Sequence, residues 1–155
     1  MGNAGLTKAI ALGVLVMAAG CTTQSIDTVE TTSVAQTKDI SRADLEAGKS
    51  QFRDANYGLA EKHFRKAVEL RASNAEAWMG LAASYDQLGR FDFADRAYGQ
   101  LVKLAGRKPE IVNNMGYSQL LRGNNKKART LLMEAKSGMA DTTVVDANLE
   151  LLKKS

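Results

Sequence analysis

AEAWMGLAASYDQLGRFDFADRAYGQLVKL, residues 75–104, decides the fold. Its small positions Ala82 and Ala94 recur 34 residues to either side, as Gly48 and Gly116 and as Ala60 and Ala128. Tyr98 repeats as Phe64 and Leu132, and Leu101 as Ala67 and Ala135. Chance does not hold four columns at one spacing, and a period of 34 is the signature of a helix–turn–helix solenoid. Units of this kind stack into a curved surface suited to binding other proteins.

Each period reads as two helices. Unit one opens at Ser41 with Asp44 three residues on, which resembles a capping box. Its helix A runs to about Asp54, Asn56-Tyr57-Gly58 makes the turn, and helix B runs from Leu59 to about Arg71. Unit two begins with a fuller capping box, Ser73 to Glu76, and Gly89 supplies a left-handed stop. Unit three starts on Pro109, suited to a first helical turn, and Gly123 repeats the stop. After Gly138, Asp141 or Thr142 caps a last helix over 143–153. Its Val144, Val145, Leu149, Leu151 and Leu152 fit one face only loosely.

The quoted stretch resembles the tetratricopeptide repeat through Trp78, Leu81, Ala82, Tyr85, Gly89, Phe91, Ala94 and Tyr98, in order and at the family's spacing. The resemblance implies an all-α, right-handed solenoid of about three units, 41–74, 75–108 and 109–142, closed by the capping helix. Small residues at 82 and 94 let the paired helices cross closely. The flanking units depart from the pattern. Asp44 and Gln51 replace the Trp78 and Tyr85 columns in unit one, where an outermost face meets water. Gln119 and Asn125 replace the Tyr85 and Phe91 columns in unit three, which predicts looser packing. The proline that closes family repeats is replaced by Ala72, Gly106 and Ala140, which predicts mobile turns.

The first 39 residues read differently. Lys8 precedes an apolar run from Ala9 to Gly20, about a dozen residues where a membrane span needs roughly 20. That length suits the h-region of a secretory signal peptide. The run ends Ala18-Ala19-Gly20-Cys21, and Cys21 is the sole cysteine, so no intrachain disulfide forms. This resembles the lipobox of bacterial lipoproteins, although that family favours leucine where Ala18 stands. It implies a signal peptide over 1–20, a lipid on Cys21 and, with Thr22 rather than aspartate following, an outer-membrane anchor facing the periplasm. Two or more acyl chains anchor stably where one does not. Residues 22–39 are rich in Thr, Ser and Gln around isolated Ile26, Val29 and Val34, so 21–39 reads as a disordered tether. Its average reach is about 23 Å.

The remaining residues point away from catalysis. His63 is the only histidine and has no second histidine or cysteine beside it in the repeats; Trp78 reads as packing. No phosphate-binding glycine loop or nucleophile motif occurs, and no metal or cofactor is expected beyond the covalent lipid. A net charge of +4, with both signs interspersed, does not suggest nucleic acid. Lys126-Lys127-Ala128-Arg129 reads as a solvated face.

By the resemblance, the inner wall comes from helices A. Arg42, Leu45, Lys49, Phe52 and Arg53 face it in unit one; Glu76, Met79, Ala83, Asp86 and Gln87 in unit two; Asn113, Asn114, Tyr117 and Leu121 in unit three. Phe52, Met79 and Tyr117 are candidate anchors, and Asn114 a candidate for bonding an extended backbone. The clamp with which some family co-chaperones grip a carboxylate tail is mostly missing, since Leu45, Lys49, Gly80, Glu110 and Asn114 stand there. Val112 to Tyr117, with Asn148-Leu149, resembles the tight-adherence (Flp) pilus assembly lipoproteins. The resemblances imply a lipid-anchored scaffold that holds a segment of a protein partner and assists an envelope machine, with no small-molecule substrate. A pilotin-like escort of an outer-membrane pore subunit and an adaptor for cell-wall enzymes are the alternatives.

Overall fold

A computed structural model describes residues 39–154; the leader, Cys21 and the tether up to residue 38 lie outside the described residues. Among the described residues seven helices follow one another: α1 (Arg42–Arg53), α2 (Tyr57–Leu70), α3 (Ala75–Gln87), α4 (Phe91–Ala105), α5 (Pro109–Leu121), α6 (Asn125–Gly138) and α7 (Thr143–Lys154). No strand occurs among the described residues. Three hairpins, α1/α2, α3/α4 and α5/α6, stack in order, and α7 packs on α5 and α6. The odd-numbered helices touch their successors, α1 on α3, α3 on α5 and α5 on α7, whereas α2, α4 and α6 do not meet one another. The layer of A helices is therefore the tighter, inner one, and the B helices splay outward. The all-α solenoid expected from the period is the observed architecture.

The four columns explain the stacking. All twelve of their residues are buried, and alanines 60, 94 and 128 have no exposed surface at all. Close crossing leaves no room for more. A Cβ on Gly48 would lie 2.7 Å from the Phe64 ring, and one on Gly116 would lie 2.9 Å from Leu132. The apolar core is divided. One cluster runs through α1–α4 and takes in Ile111. A second holds Val112, Leu131, Leu132, Val145 and Leu152 in α5–α7, and Met115 packs on both. In keeping with this division, α4 meets α5 far less extensively than α2 meets α3.

The turns inside the hairpins share one geometry. The N–H groups of Asn56, Arg90 and Asn124 donate to the carbonyls of Gln51, Tyr85 and Gln119 at 2.9, 2.8 and 2.8 Å. The residue before each donates to the carbonyl three back, at 3.1, 3.0 and 3.0 Å. This double bond is the Schellman stop, which needs a left-handed residue. Gly89 and Gly123 supply it with φ of 67° and 75°, as expected, but unit one uses Ala55 at φ 57°. A Cβ in this region costs about 1–2 kcal/mol. Replacing Ala55 with glycine relieves that strain, while the freer unfolded chain takes back about 0.4–1 kcal/mol. We expect Ala55→Gly to stabilise by roughly 0.5–1 kcal/mol in urea denaturation; an unchanged or lower midpoint would contradict the strain.

Several local expectations are corrected. Helix α2 starts at Tyr57, not Leu59, because the Asn56 carbonyl already accepts from Leu59 and Ala60. Ser41 makes no capping bond; its hydroxyl donates to Asp39 at 2.6 Å and accepts from Asn74 Nδ2 at 2.9 Å. The cap of α3 is Asn74, which accepts from the Ala77 N–H at 3.0 Å, and not Ser73. Gln119, at the tyrosine column of unit three, is buried and accepts from Asn124 Nδ2 at 3.0 Å, as Gln51 accepts from Asn56 at 3.1 Å. In α7, Val145, Asn148 and Leu152 turn inward, whereas Val144 and Leu151 are exposed.

Candidate functional site

The A-helix layer brings most of the predicted wall residues to one side, but not all as free surface. Arg42 and Arg53 on α1 are exposed and have no ion-pair partner among the described residues. Lys49 is tied across to α3, 2.5 Å from Glu76 and 3.1 Å from Glu46, and the Glu76 hydrogen bond raises its pKa above the usual lysine value. Phe52 meets Tyr57 edge-on at 5.2 Å and packs on the first cluster. Asn114 donates from Nδ2 to the Met79 sulfur at 2.9 Å, closing α5 onto α3. Tyr117 is half-buried on α5.

Three predicted wall residues are corrected to interior positions, and the first is Leu45, whose apolar side chain is buried in the α1–α4 cluster. Asn113 is 4% exposed, accepting from Asn148 Nδ2 at 3.0 Å, because α7 covers it. Asp86 is equally buried, because α4 and α5 close over it. Its Oδ2 accepts from the Tyr98 hydroxyl at 2.9 Å and its Oδ1 from Ser118 Oγ at 2.6 Å. Arg122 lies 3.8 Å away, donates to Ser118 Oγ at 2.7 Å and grips Asp95 with both ends of its fork at 2.9 and 3.0 Å. The same guanidinium covers the Phe91 ring at 4.7 Å. Burial raises the Asp86 pKa, while the bonds from Ser118 and Tyr98 and the charge of Arg122 pull it back. Burial and the Asp86 charge push Tyr98 well up. A polar network, beside the apolar contacts of Ile111 and Met115, thus fastens the second hairpin to the third. Sequence reading missed Ser118 and Arg122. Serine does recur at 50, 84 and 118, yet Ser84 bonds its own helix at Gly80 and only Ser118 reaches a carboxylate.

The outer layer holds a feature with no sequence column. Because α2 and α4 do not touch, a cleft of about 550 Å³ opens between them, floored by α3. Val68, Trp78, Leu81, Tyr85, Phe93 and Ala97 line it. Trp78 presents its ring there because its Nε1 is committed to the Ala72 carbonyl at 2.8 Å, a bond that also ties the proline-free turn. Phe93 stands 5.3 Å from the Tyr85 ring and is about half exposed. His63, which has no second histidine or cysteine beside it, lies 3.1 Å from Asp44 and joins α2 to α1. Among the described residues no three His, Cys, Asp or Glu side chains gather to hold a metal. Lys126, Lys127 and Arg129 are exposed on α6.

Comparison with known proteins agrees with this geometry. Residues 75–107, the α3/α4 hairpin, match the tetratricopeptide repeat family model. No curated protein matches the sequence. Among solved structures, the chain is similar to the tetratricopeptide domain of Arabidopsis OM64, with a TM-score of 0.65 and 17% identity over 74% of this chain and 94% of that one. It is similar to Pseudomonas aeruginosa PilF, TM-score 0.61 and 25% identity, over 74% of this chain and about half, 52%, of that one. The Yersinia enterocolitica type III secretion chaperone SycD, solved with a peptide of the translocator YopD, aligns with TM-score 0.61 and 21% identity over 73% of this chain and 92% of SycD. The stacked hairpins have the fold of a tetratricopeptide-type solenoid.

Proposed function

We propose that this protein holds an extended segment of a partner protein against the inner layer of A helices, and that a lipid on Cys21 tethers it to the periplasmic face of the outer membrane. There it assists assembly of an envelope machine of the tight-adherence pilus kind. The observation that carries the binding face is the pair Arg42 and Arg53, exposed on α1 without carboxylate partners, while Lys49 is already neutralised by Glu46 and Glu76. Unpaired cations at one end, with half-buried Tyr117 further along, suit a segment that carries acidic and aromatic side chains. The SycD neighbour, solved with a translocator peptide, supports peptide binding as a use of this architecture.

The test separates anchor from groove. A photo-crosslinking residue at Tyr117 in living cells is expected to trap one defined partner segment. Charge reversal at Arg42 and Arg53 removes two exposed contacts of about 0.5–1 kcal/mol each, so capture falls about tenfold while the fold is unaffected. Phe52 and Lys49 are unsuitable probes, because both also hold the fold. Undiminished capture rules out this face. Separately, Cys21→Ser moves the protein from membrane to soluble fractions; retention on the membrane rules out the lipid.

A further inference from the structure

We infer that the outer cleft between α2 and α4 is a second docking site, and that its occupant is an acidic peptide segment with large apolar anchors whose backbone crosses α4 at Gly99. The inference rests on a different face from the proposed groove. Three observations carry it.

The first is the apolar floor. Trp78, Tyr85 and Phe93 come from two helices to one opening that the fold leaves uncovered. Large side chains of a partner have a place there that water fills poorly.

The second is charge. The lining carries Arg65, Arg96 and Lys103 against the single carboxylate of Glu69. Arg65 is engaged by Glu61 at 2.9 Å. Arg96 lies over the Phe93 ring at 4.4 Å, and neither it nor Lys103 has an ion-pair partner among the described residues. Two unpaired cations on the α4 wall, beside an aromatic floor, select an acidic segment over a basic one.

The third is Gly99. It sits in the interior of α4 and lines the cleft, and a Cβ there would meet nothing within 4 Å. Glycine inside a helix destabilises it relative to alanine. Gly48, Gly80 and Gly116 each make room for a neighbouring side chain, but among the described residues none needs the space at Gly99. Close approach of another backbone does need it.

Trp78 is the only tryptophan and lines the cleft, so its emission reports occupation. The experiment titrates the full chain with a synthetic 12-residue peptide of leucine and phenylalanine anchors spaced by aspartate and glutamate, and with its lysine-for-acid counterpart. The expected result is a saturable emission change with the acidic peptide, at least tenfold weaker with the basic one. Arg96→Glu with Lys103→Glu reverses that preference. Gly99→Ala raises the Tm by about 2–4 °C yet weakens the acidic peptide at least fivefold, and Gly99→Leu abolishes its binding. Three results would each overturn the inference. One is no saturable change. Another is a response that survives Gly99→Leu or is lost on Arg42→Glu with Arg53→Glu, which puts the peptide elsewhere. The last is an emission change that follows protein concentration alone, which makes a second copy the occupant.

Discussion

Gly80→Ala is expected to destabilise the protein by about 1–3 kcal/mol, and the loss is expected to vanish when Phe64 is shortened. The reason is a clasp. The Phe64 ring of α2 lies between two glycines of neighbouring A helices, Gly48 on α1 and Gly80 on α3. A Cβ at Gly48 would stand 2.7 Å from Cδ1, and one at Gly80 would stand closer still to Cε1 and Cζ. The ring is 3% exposed and has no open side to move toward. Alanine gains up to about 1 kcal/mol of helix propensity over glycine, so the net loss understates the collision. Phe64→Ala removes the ring that joins the first two hairpins and is expected to cost about 3–5 kcal/mol. The informative variant is Gly80→Ala with Phe64→Leu, since a shorter side chain frees the space the new methyl needs. Urea denaturation of the four-member cycle is expected to show a coupling of at least 1 kcal/mol in favour of the double variant. Additive losses would show that the ring relaxes into space elsewhere and that the clasp is not what fixes these glycines.

That clasp shows what a sequence of this kind discloses. Gly48 and Gly116 were legible because they share a column with Ala82, and close crossing demands a small residue at every repeat. Gly80 was not, because its column holds Glu46 and Asn114; the need for glycine there comes from where the Phe64 ring lies, which its column with Tyr98 and Leu132 does not disclose. Ala55 was missed for a related reason. Alanine carries no turn signal, and the left-handed residue is imposed by the Schellman bonds of Asn56 to Gln51. The inner wall was only partly legible. Helical phase put Asp86 and Asn113 on the right side of their helices, but whether a neighbour covers them depends on how tightly the next A helix approaches. The outer cleft had no trace in the period. It arises from two helices failing to meet, and its aromatic floor draws Trp78, Tyr85 and Phe93 from three different columns.

Asp86→Ala is expected to cost about 2–4 kcal/mol and to loosen the third hairpin before the first two. The variant deprives the buried hydroxyls of Tyr98 and Ser118 of their charged acceptor and leaves Arg122 with Asp95 as its one carboxylate. Ser118 keeps the bond from Arg122, and Tyr98 keeps a longer one to the Asn114 carbonyl at 3.4 Å, which holds the loss below that of an abandoned buried charge. Because α4 meets α5 sparingly, amide exchange in α5–α7 is expected to rise while the α1–α4 cluster stays protected. Uniform exchange across all seven helices would mean the network is not the joint. Asp86→Asn isolates the charge. Burial raises the folded pKa of Asp86 above 3.8, so between the two values the folded state holds more protons than the unfolded one. The contribution of Asp86 therefore falls as pH rises from 3.8 through its folded value, and is flat above it. Asp39, Asp141, Asp146 and Glu150 run the other way, their pKa values lowered by bonds from Ser41, Thr143, Lys136 and Lys153, but they are common to both proteins and cancel. The stability of the native protein relative to Asp86→Asn is thus expected to decline with rising pH across that window. An increase instead would mean that Arg122 and the two hydroxyls outweigh burial at this carboxylate.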